Sequence, residues 1–570
     1  MDHKFYLEKG NYYYHQQKYL LALQYYEQVD QRDSVFYYYL GDTYQKLGNY
    51  NLAIASYQEG INTNPNSDFL YSELIWTLHI CGYSEESRLI ANYAQTLFPQ
   101  SGKLRWESGL LLPVLYESEL EIDFYRHRFS KHLDHLINKT QLITPSQIEA
   151  AYQGVATYTN FYLQYQGRND LELQVKYGNF LHQVMAAKFP QWVQPLTRSK
   201  STRKIKIGYI SHFFKWHTVF RVFHGFLTQA NQDIFDIYAY YTDTIVDSST
   251  EKIKSSSTYF RQIPHDLTTL CQQIIADQLD ILVFLDLSMS PISNQAAALR
   301  LAPIQCMLWG HPVTSGLPTI DYYLSSDLLE PTNAQTYYRE QLIKLPNIGI
   351  YFPTPEPIKL TKTRQDYGLK EGAIVYLSCQ SLFKYLPQYD FVFPAIAQQV
   401  PNAQFIFIAA ASCTTPLVTQ KFCQRLQRVF AEHGLNYQDY CLFLPGQIYV
   451  DFQQLNLLAD VFLDSFIWSG GMTSLDAINC LLPIVTCPGE LMRGRQSAGF
   501  LQRMDISETI AADPEEYIQI AVRLGLDENY RQQVVIKMSQ QRYLLYNDYS
   551  CVEALEIIYQ QMITGGNHSL

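Results

Sequence analysis

The run Val461-Phe462-Leu463-Asp464-Ser465-Phe466 leads into Ser469-Gly470-Gly471-Met472-Thr473-Ser474-Leu475-Asp476, a stretch whose residue types and spacing suit the binding of a diphosphate. Two glycines let the backbone turn tightly and approach a ligand closely. Thr473 and Ser474 are expected to cap a following helix, whose unpaired N–H groups then face an anion. Asp476, just inside that helix, is spaced to reach a sugar hydroxyl. A Gly-Gly-x-Thr-Ser run by itself also fits an ordinary strand-to-helix turn, so the reading depends on what else the chain brings to the same place.

A cradle of this kind needs a sheet behind it. From Lys204 onward short β-rich runs alternate with helical patterns, the signature of parallel sheets with crossover helices. Strands are predicted at 205–210, 235–241, 279–285 and 322–325. After the Pro-rich Phe352-Pro353-Thr354-Pro355-Glu356-Pro357 the series restarts at 374–379, 404–409, 441–444, 461–464 and 484–487. The expected architecture is α/β, with two Rossmann-like halves, 204–350 and 370–565, facing each other across a cleft. Ligands of open α/β sheets lie beyond the carboxyl ends of the strands. That rule singles out His212 and His217 after the first strand, with His224 further along. It also singles out Gln380, Ser381 and Lys384 after the fifth strand, and Arg493 and Arg495 after the last.

The chain has 570 residues, 47% hydrophobic and 17% charged, enough apolar surface for several packed cores and too little charge for disorder. Its 43 Lys and Arg against 54 Asp and Glu give a net charge of −11, which speaks against nucleic acid or an anionic membrane as a general partner. The start Met1-Asp2-His3-Lys4-Phe5 carries no basic-then-apolar leader pattern, and no apolar run reaches the roughly 18 residues of a membrane span. A soluble cytoplasmic protein is expected. Ten cysteines without a CxxC pair predict small buried hydrophobes and no metal site.

Repeats organise residues 1–101. Tyr37, Leu40, Gly41, Tyr44, Ala53, Tyr57 and Pro65 fall on the tetratricopeptide pattern, and Pro99 closes the next copy 34 residues later. Tyr6, Gly10, Tyr13, Ala22 and Tyr26 mark an earlier copy. Such helix pairs bury their faces only by stacking on neighbours, and the concave side is left for an extended partner. Most of the many tyrosines are expected in the packing. Residues 102–202 are predicted to continue as a degenerate helical extension that ends in a linker, 194–202.

Four blocks occur in the order found in one known group: residues 204–225; Ala302-Pro303-Ile304-Gln305-Cys306-Met307-Leu308-Trp309-Gly310-His311-Pro312-Val313-Thr314-Ser315-Gly316; the Gln380-Ser381-Leu382-Phe383-Lys384 turn; and Leu482-Pro483-Ile484-Val485-Thr486-Cys487-Pro488-Gly489-Glu490. They resemble the O-linked N-acetylglucosamine transferases and the related SPINDLY proteins, glycosyltransferase family 41, including bacterial members with a short repeat array. The likeness runs from about 204 to 560 and extends to the class of the amino-terminal domain. It implies an α-helical tetratricopeptide array followed by a GT-B fold. It also implies a nucleotide-sugar donor, most closely UDP-N-acetylglucosamine, inverting transfer to Ser or Thr of proteins, and no metal or other cofactor.

Carried over by position, the resemblance implies that His217 is the active-site histidine near acceptor and sugar, and that Lys384 neutralises the departing diphosphate. Thr473 then meets the phosphates, Asp476 the ribose, and the loop holding His311 approaches the sugar. Departures accompany the likeness. Gly471 and Met472 stand where the animal enzymes have a histidine and a threonine, so only backbone donors are expected there. Phe452 takes the place of the residue that stacks on uracil, Leu455 replaces a basic neighbour, and Ser381 replaces a donor-contacting glutamine, with Gln380 beside it to supply the amide.

The chemistry asks for few side chains. Displacement at an anomeric carbon builds negative charge on the diphosphate, which fixed donors at 470–474 and the Lys384 ammonium stabilise. A hydroxyl acceptor must lose its proton, and a histidine such as His217 serves as base or as positioning group. GDP-fucose and UDP-glucose are the rival donors. A repeat scaffold with a decayed transferase half is the alternative of another class, and the joint presence of His217, Lys384, Thr473 and Asp476 argues against it.

Overall fold

The computed structural model describes residues 3–197, 204–409 and 415–564. Most of the expected linker and the boundary placed at 565 lie outside the described residues. The chain divides into two compact units, Met1–Thr157 with Ser412–Gln424, and Tyr158–Ala411 with Arg425–Leu570.

In the first unit six helices pair as His3–His15 with Tyr19–Tyr26, Ser34–Lys46 with Tyr50–Thr63, and Asp68–Ile80 with Ser84–Leu97. Asp33 starts the third of them by accepting the Phe36 N–H at 2.8 Å. Ala53, Tyr57, Leu70, Leu74 and Leu78 form one core across successive pairs, and Tyr71, Ile75, Ala91, Ala94 and Leu104 carry it onward. Tyr26 and Tyr57 are fully buried, whereas Tyr12 and Tyr93 are more than half exposed. Packing therefore takes the tyrosines at the repeat positions and leaves others at the surface. Helices Gly102–Leu110, Glu119–Lys139 and Pro145–Thr157 complete the described part of this unit up to Thr157. The second of these buries Ile122, Tyr125, Phe129, Leu133 and Leu136, three or four residues apart, as an amphipathic stripe must. Residues 158–197, read from sequence as more of the same array, group instead with the second unit.

The second unit holds two parallel sheets. β1 (Ile205–Ser211), β2 (Phe235–Tyr241), β3 (Tyr259–Gln262), β4 (Ile281–Phe284), β5 (Ile304–Leu308), β6 (Tyr322–Ser326) and β7 (Gln341–Leu345) run in the order β3-β2-β1-β4-β5-β6-β7. β8 (Ile374–Ser378), β9 (Ala403–Ile408), β10 (Cys441–Leu444), β11 (Val461–Leu463) and β12 (Ile484–Val485) run in the order β10-β9-β8-β11-β12. The expected pair of Rossmann-like halves is present. Three strands escaped the sequence reading. β3 and β7 are the two edges of their sheet, half-exposed and carrying polar residues, so they lack the apolar run that betrays a central strand. β5 lay within a segment read only for its motif. The helix Ser550–Thr564 returns to the first sheet, where the Tyr559 hydroxyl lies 3.2 Å from that of Tyr209. Among the described residues no helix is long and apolar enough to cross a membrane.

Candidate functional site

The carboxyl ends of β1, β5, β8 and β11 deliver their following residues to one cavity of about 220 Å³. His217, Thr218, Trp309, Gly310, His311, Gln380, Ser381, Lys384, Trp468, Gly471, Met472 and Thr473 line it, together with Phe161 and Tyr165 from the segment ahead of the first sheet. Of the predicted residues, His217, Lys384, Gln380, Ser381, Gly471, Met472 and Thr473 thus come together. Gly470, Ser474, Asp476 and Phe452 do not line this cavity.

The helix after β11 begins at Met472, with Gly471 as its cap residue and no side-chain cap. Thr473 and Ser474, expected as caps, lie inside the first turn and serve otherwise. Gln380 Nε2 donates to Thr473 Oγ1 at 2.7 Å, and the Ser474 hydroxyl bonds that of Ser497 at 2.7 Å. Gly470 spends its N–H on Asp464 at 2.7 Å, so it is withdrawn from the set of donors expected to meet an anion. The N–H groups of Gly471, Met472 and Thr473 are the ones that open the helix. Glycine is required at 470, because a Cβ there would overlap Ser474 Oγ and crowd Thr473 Oγ1 and Gln380 Nε2.

Asp464 organises this turn, a role not read from the sequence. Fully buried, it accepts from Ser469 Oγ at 2.6 Å, Gly470 N–H and Thr486 Oγ1 at 2.7 Å, and burial pushes its pKa up. Between Asp464 and Gly470 the chain passes through Ile467 at φ 66°, a left-handed conformation that a β-branched residue adopts only under strain of about 1–3 kcal/mol. The reward is the placement of Trp468, whose ring stacks on Tyr165 at 4.0 Å and forms a wall of the cavity.

Lys384 sits in the short 3-10 turn Leu382–Lys384 after β8. Its ammonium donates to Gln380 Oε1 at 2.9 Å and lies 6.0 Å from the Trp468 ring. Gln380 therefore links Lys384 to Thr473 through its own two amide atoms. Burial pulls the Lys384 pKa down to about 8, with the Asp464 carboxylate opposing the shift.

His217 is the cap of helix Thr218–Thr228, its Nδ1 accepting the Val219 N–H at 3.2 Å, and it stacks on Phe213 at 4.0 Å. Burial, with the positive charge of Lys215 and nearby His212, lowers its pKa to about 4. At neutral pH the ring is uncharged, and since Nδ1 is an acceptor the proton resides on Nε2. His311 is buried, its ring 4.9 Å from Phe161 and 5.2 Å from Trp468, and neither ring nitrogen has a partner among the described residues. Burial and the charges of Arg493 and Lys384 bring its pKa to about 3. Its loop is fixed by Glu340, which accepts from Thr314 Oγ1 at 2.6 Å and Ser315 N–H at 2.8 Å, and by Gly310, where a Cβ would strike the Leu285 carbonyl.

Asp476 is taken by other groups than those expected. Arg221 donates to both its oxygens, at 2.7 and 3.0 Å, and Tyr449 OH donates at 3.0 Å. The pair ties the helix after β1 to the helix after β11 across the cleft. It borders a second, larger cavity of about 690 Å³, lined by Trp216, Arg221, Tyr449 and the Pro-rich connection among others. Phe452 lines neither cavity. Arg493 is buried, pairs with the Asp170 carboxylate at 2.9 Å and donates to the Arg168 carbonyl at 2.6 Å, while Arg495 donates to the Gly489 carbonyl; neither lines the cavity. His212 meets the Thr242 carbonyl at 3.2 Å, and His224 meets that of Phe220 at 3.2 Å. Arg221, Tyr449, Trp468, Phe161 and Tyr165 were missed because isolated aromatic and basic residues carry no spacing signal.

The family model described as Glycosyl transferase family 41 matches residues 166–352 and 353–550, and a tetratricopeptide repeat model matches 34–67. A relative from Arabidopsis thaliana named probable UDP-N-acetylglucosamine–peptide N-acetylglucosaminyltransferase SPINDLY is 26% identical over 344 residues, 59% of this chain and 37% of its own length. A second from the same plant, with the same activity name and called SEC, is 24% identical over 416 residues, 69% of this chain and 41% of its own. The chain therefore spans well under half the length of these relatives. A mutant O-GlcNAc transferase from Thermobaculum terrenum superposes with a TM-score of 0.66 at 20% identity, covering 93% of this chain and 97% of that one, and so shares the fold.

Proposed function

Because this chain belongs to glycosyltransferase family 41, we propose that it transfers a sugar from a nucleotide-sugar donor, most closely UDP-N-acetylglucosamine, to Ser or Thr hydroxyls of proteins. The observation that carries the reading is the chain of contacts from Lys384 through Gln380 to Thr473 at the opening of the helix after β11. One ammonium, one amide and a helix start converge on the volume where a diphosphate would leave. Charge developing there is met by donors already in place, which is how such sites lower a barrier. An ammonium supplies that charge without a metal, and the displacement inverts the anomeric centre because the acceptor attacks from the face opposite the leaving group.

On the acceptor side, His217 with its proton on Nε2 is a hydrogen-bond donor. In this reading it orients an oxygen of the sugar or acceptor rather than taking the hydroxyl proton. His311 offers one donor and one acceptor to the sugar, and the aromatic rings of Phe161, Tyr165 and Trp468 pack against its apolar face. Proteins acting as acceptors reach the cleft with help from the tetratricopeptide helices.

The test is a panel of tagged UDP-N-acetylglucosamine, GDP-fucose and UDP-glucose, with and without a chelator, read for hydrolysis and for transfer to proteins by mass spectrometry. UDP-N-acetylglucosamine is expected to be consumed equally in both conditions, with label on Ser or Thr. Binding of UDP without turnover of any donor would support a scaffold instead, and loss of activity on chelation would overturn the metal-free reading.

A further inference from the structure

The helical unit carries a cavity of its own. About 430 Å³ in volume, it opens between helices Ser84–Leu97, Gly102–Leu110 and Glu119–Lys139, and its walls include Asn92, Gln95, Arg105, His132, His135 and Lys139. No carboxylate lines it.

Helix geometry explains how these side chains gather. At about 100° per residue, His132, His135 and Lys139 fall within roughly 60° of one another on one face, while Asp134 points about 200° away from His132. The backbone of Gly109 lies against the His132 side chain, close enough that a Cβ would crowd it at 2.9 Å. Arg105 donates to the Pro99 carbonyl at 2.8 Å, a neutral acceptor that leaves its charge uncompensated. Lys139 is exposed and forms no ion pair among the described residues. Gln95, in the wall, has a buried Oε1 without a partner among the described residues. Burial lowers the pKa of His132, and the charges of Arg128, His135, Lys131 and Arg88 add to that lowering, which marks the local potential as positive.

We infer that this cavity is a docking pocket for an acidic segment of a protein partner, with Arg105 and Lys139 receiving its carboxylates and Gln95 and Asn92 its backbone amides. Charge complementarity selects the occupant: a concave surface that carries Arg105 and Lys139 and no carboxylate attracts a carboxylate-rich chain. The amide-bearing side chains suit a polypeptide, whose N–H groups and carbonyls need partners once desolvated. The pocket is built wholly from residues 92–139, and so its function stands apart from the chemistry of the sheets.

The experiment uses the full chain and a fluorescein-labelled peptide of alternating Glu and Ser, read by anisotropy, beside its Gln-for-Glu counterpart. The Glu peptide is expected to bind and the Gln peptide to bind far more weakly. Arg105→Ala and Lys139→Glu should each weaken the Glu peptide by roughly threefold to tenfold, and salt should weaken it as the screening length shortens from about 14 to 6 Å. Lys139 is exposed, so its substitution leaves the fold intact, which thermal melts check. Hydrolysis of the sugar nucleotide should stay at the parent rate in both variants. Equal binding of the two peptides, or no effect of either substitution, overturns the proposal. Displacement of the peptide by inorganic phosphate at lower concentration than by free peptide would also overturn it, assigning the pocket to a small anion.

Discussion

Replacing Lys384 by Met separates what this residue does for the reaction from what it costs the fold. Burial brings its pKa from the ordinary 10.5 to about 8. Each tenfold change in proton affinity is worth about 1.4 kcal/mol, so holding the charge in place costs on the order of 3 kcal/mol, less the share that solvent in the open mouth returns. Met fills the same length without a charge but leaves the buried Gln380 Oε1 without its donor, a loss of about 1–3 kcal/mol, so the variant should be more stable than the parent at pH 7 by no more than about 2 kcal/mol. The sign with pH follows from proton counting. Between pH 8 and 10.5 the unfolded chain keeps a proton that the folded parent has lost, so parental stability rises across that window and the advantage of the variant fades. Catalysis should move the other way, losing roughly 10²–10³ in single-turnover rate, about 2.7–4 kcal/mol, for hydrolysis and transfer alike. Paired denaturation curves at pH 7 and pH 10, with rapid-quench assays, provide both readings. A variant less stable at pH 7, or one that turns over donor at the parental rate, would refute the reasoning.

UDP affinity of the parent should fall as pH rises through about 8, because the cavity then loses its cation, and calorimetry in buffers of different ionisation enthalpy should register proton uptake on binding near that pH. His311→Phe keeps the stack and removes two buried hydrogen-bonding atoms, so affinity for the sugar nucleotide should drop by about 1–2 kcal/mol while that for UDP alone stays level; equal losses for both ligands would place His311 away from the sugar. His217→Ala should slow transfer about tenfold, the worth of one hydrogen bond, where a general base would give about 10²–10⁴; pH–rate profiles of parent and variant would then have the same acid limb. Arg221→Met leaves the Asp476 carboxylate buried without its ion-pair partner and should destabilise the second unit by about 3 kcal/mol, which chemical denaturation measures.

Local patterns were enough to outline this chain. The tetratricopeptide spacing from Tyr37 to Pro65 reports a helix pair because a 3.6-residue period and a closing proline are local properties. β2 and β10 were legible from end to end for a similar reason, being runs of apolar and aromatic residues between polar breaks, while the edge strands β3 and β7 were not, since half their side chains face solvent. Lys384 and Gln380 were visible as residues after a strand, and the turn at 470–474 as glycine followed by hydroxyls.

Only the tertiary structure decided which atoms are free. Gly470 N–H, Ser474 Oγ and both oxygens of Asp476 looked available in sequence, yet they are consumed by Asp464, Ser497, Arg221 and Tyr449. Phe161 and Tyr165, assigned by pattern to the helical array, stand instead in the wall of the cavity hundreds of residues from Trp468 and Lys384. A residue's type and spacing record what it is able to bond. Which partner claims it depends on long-range packing, and a buried donor or acceptor left unpaired costs about 1–3 kcal/mol, so the fold pairs nearly all of them and leaves a few, such as those of His311, without a partner among the described residues.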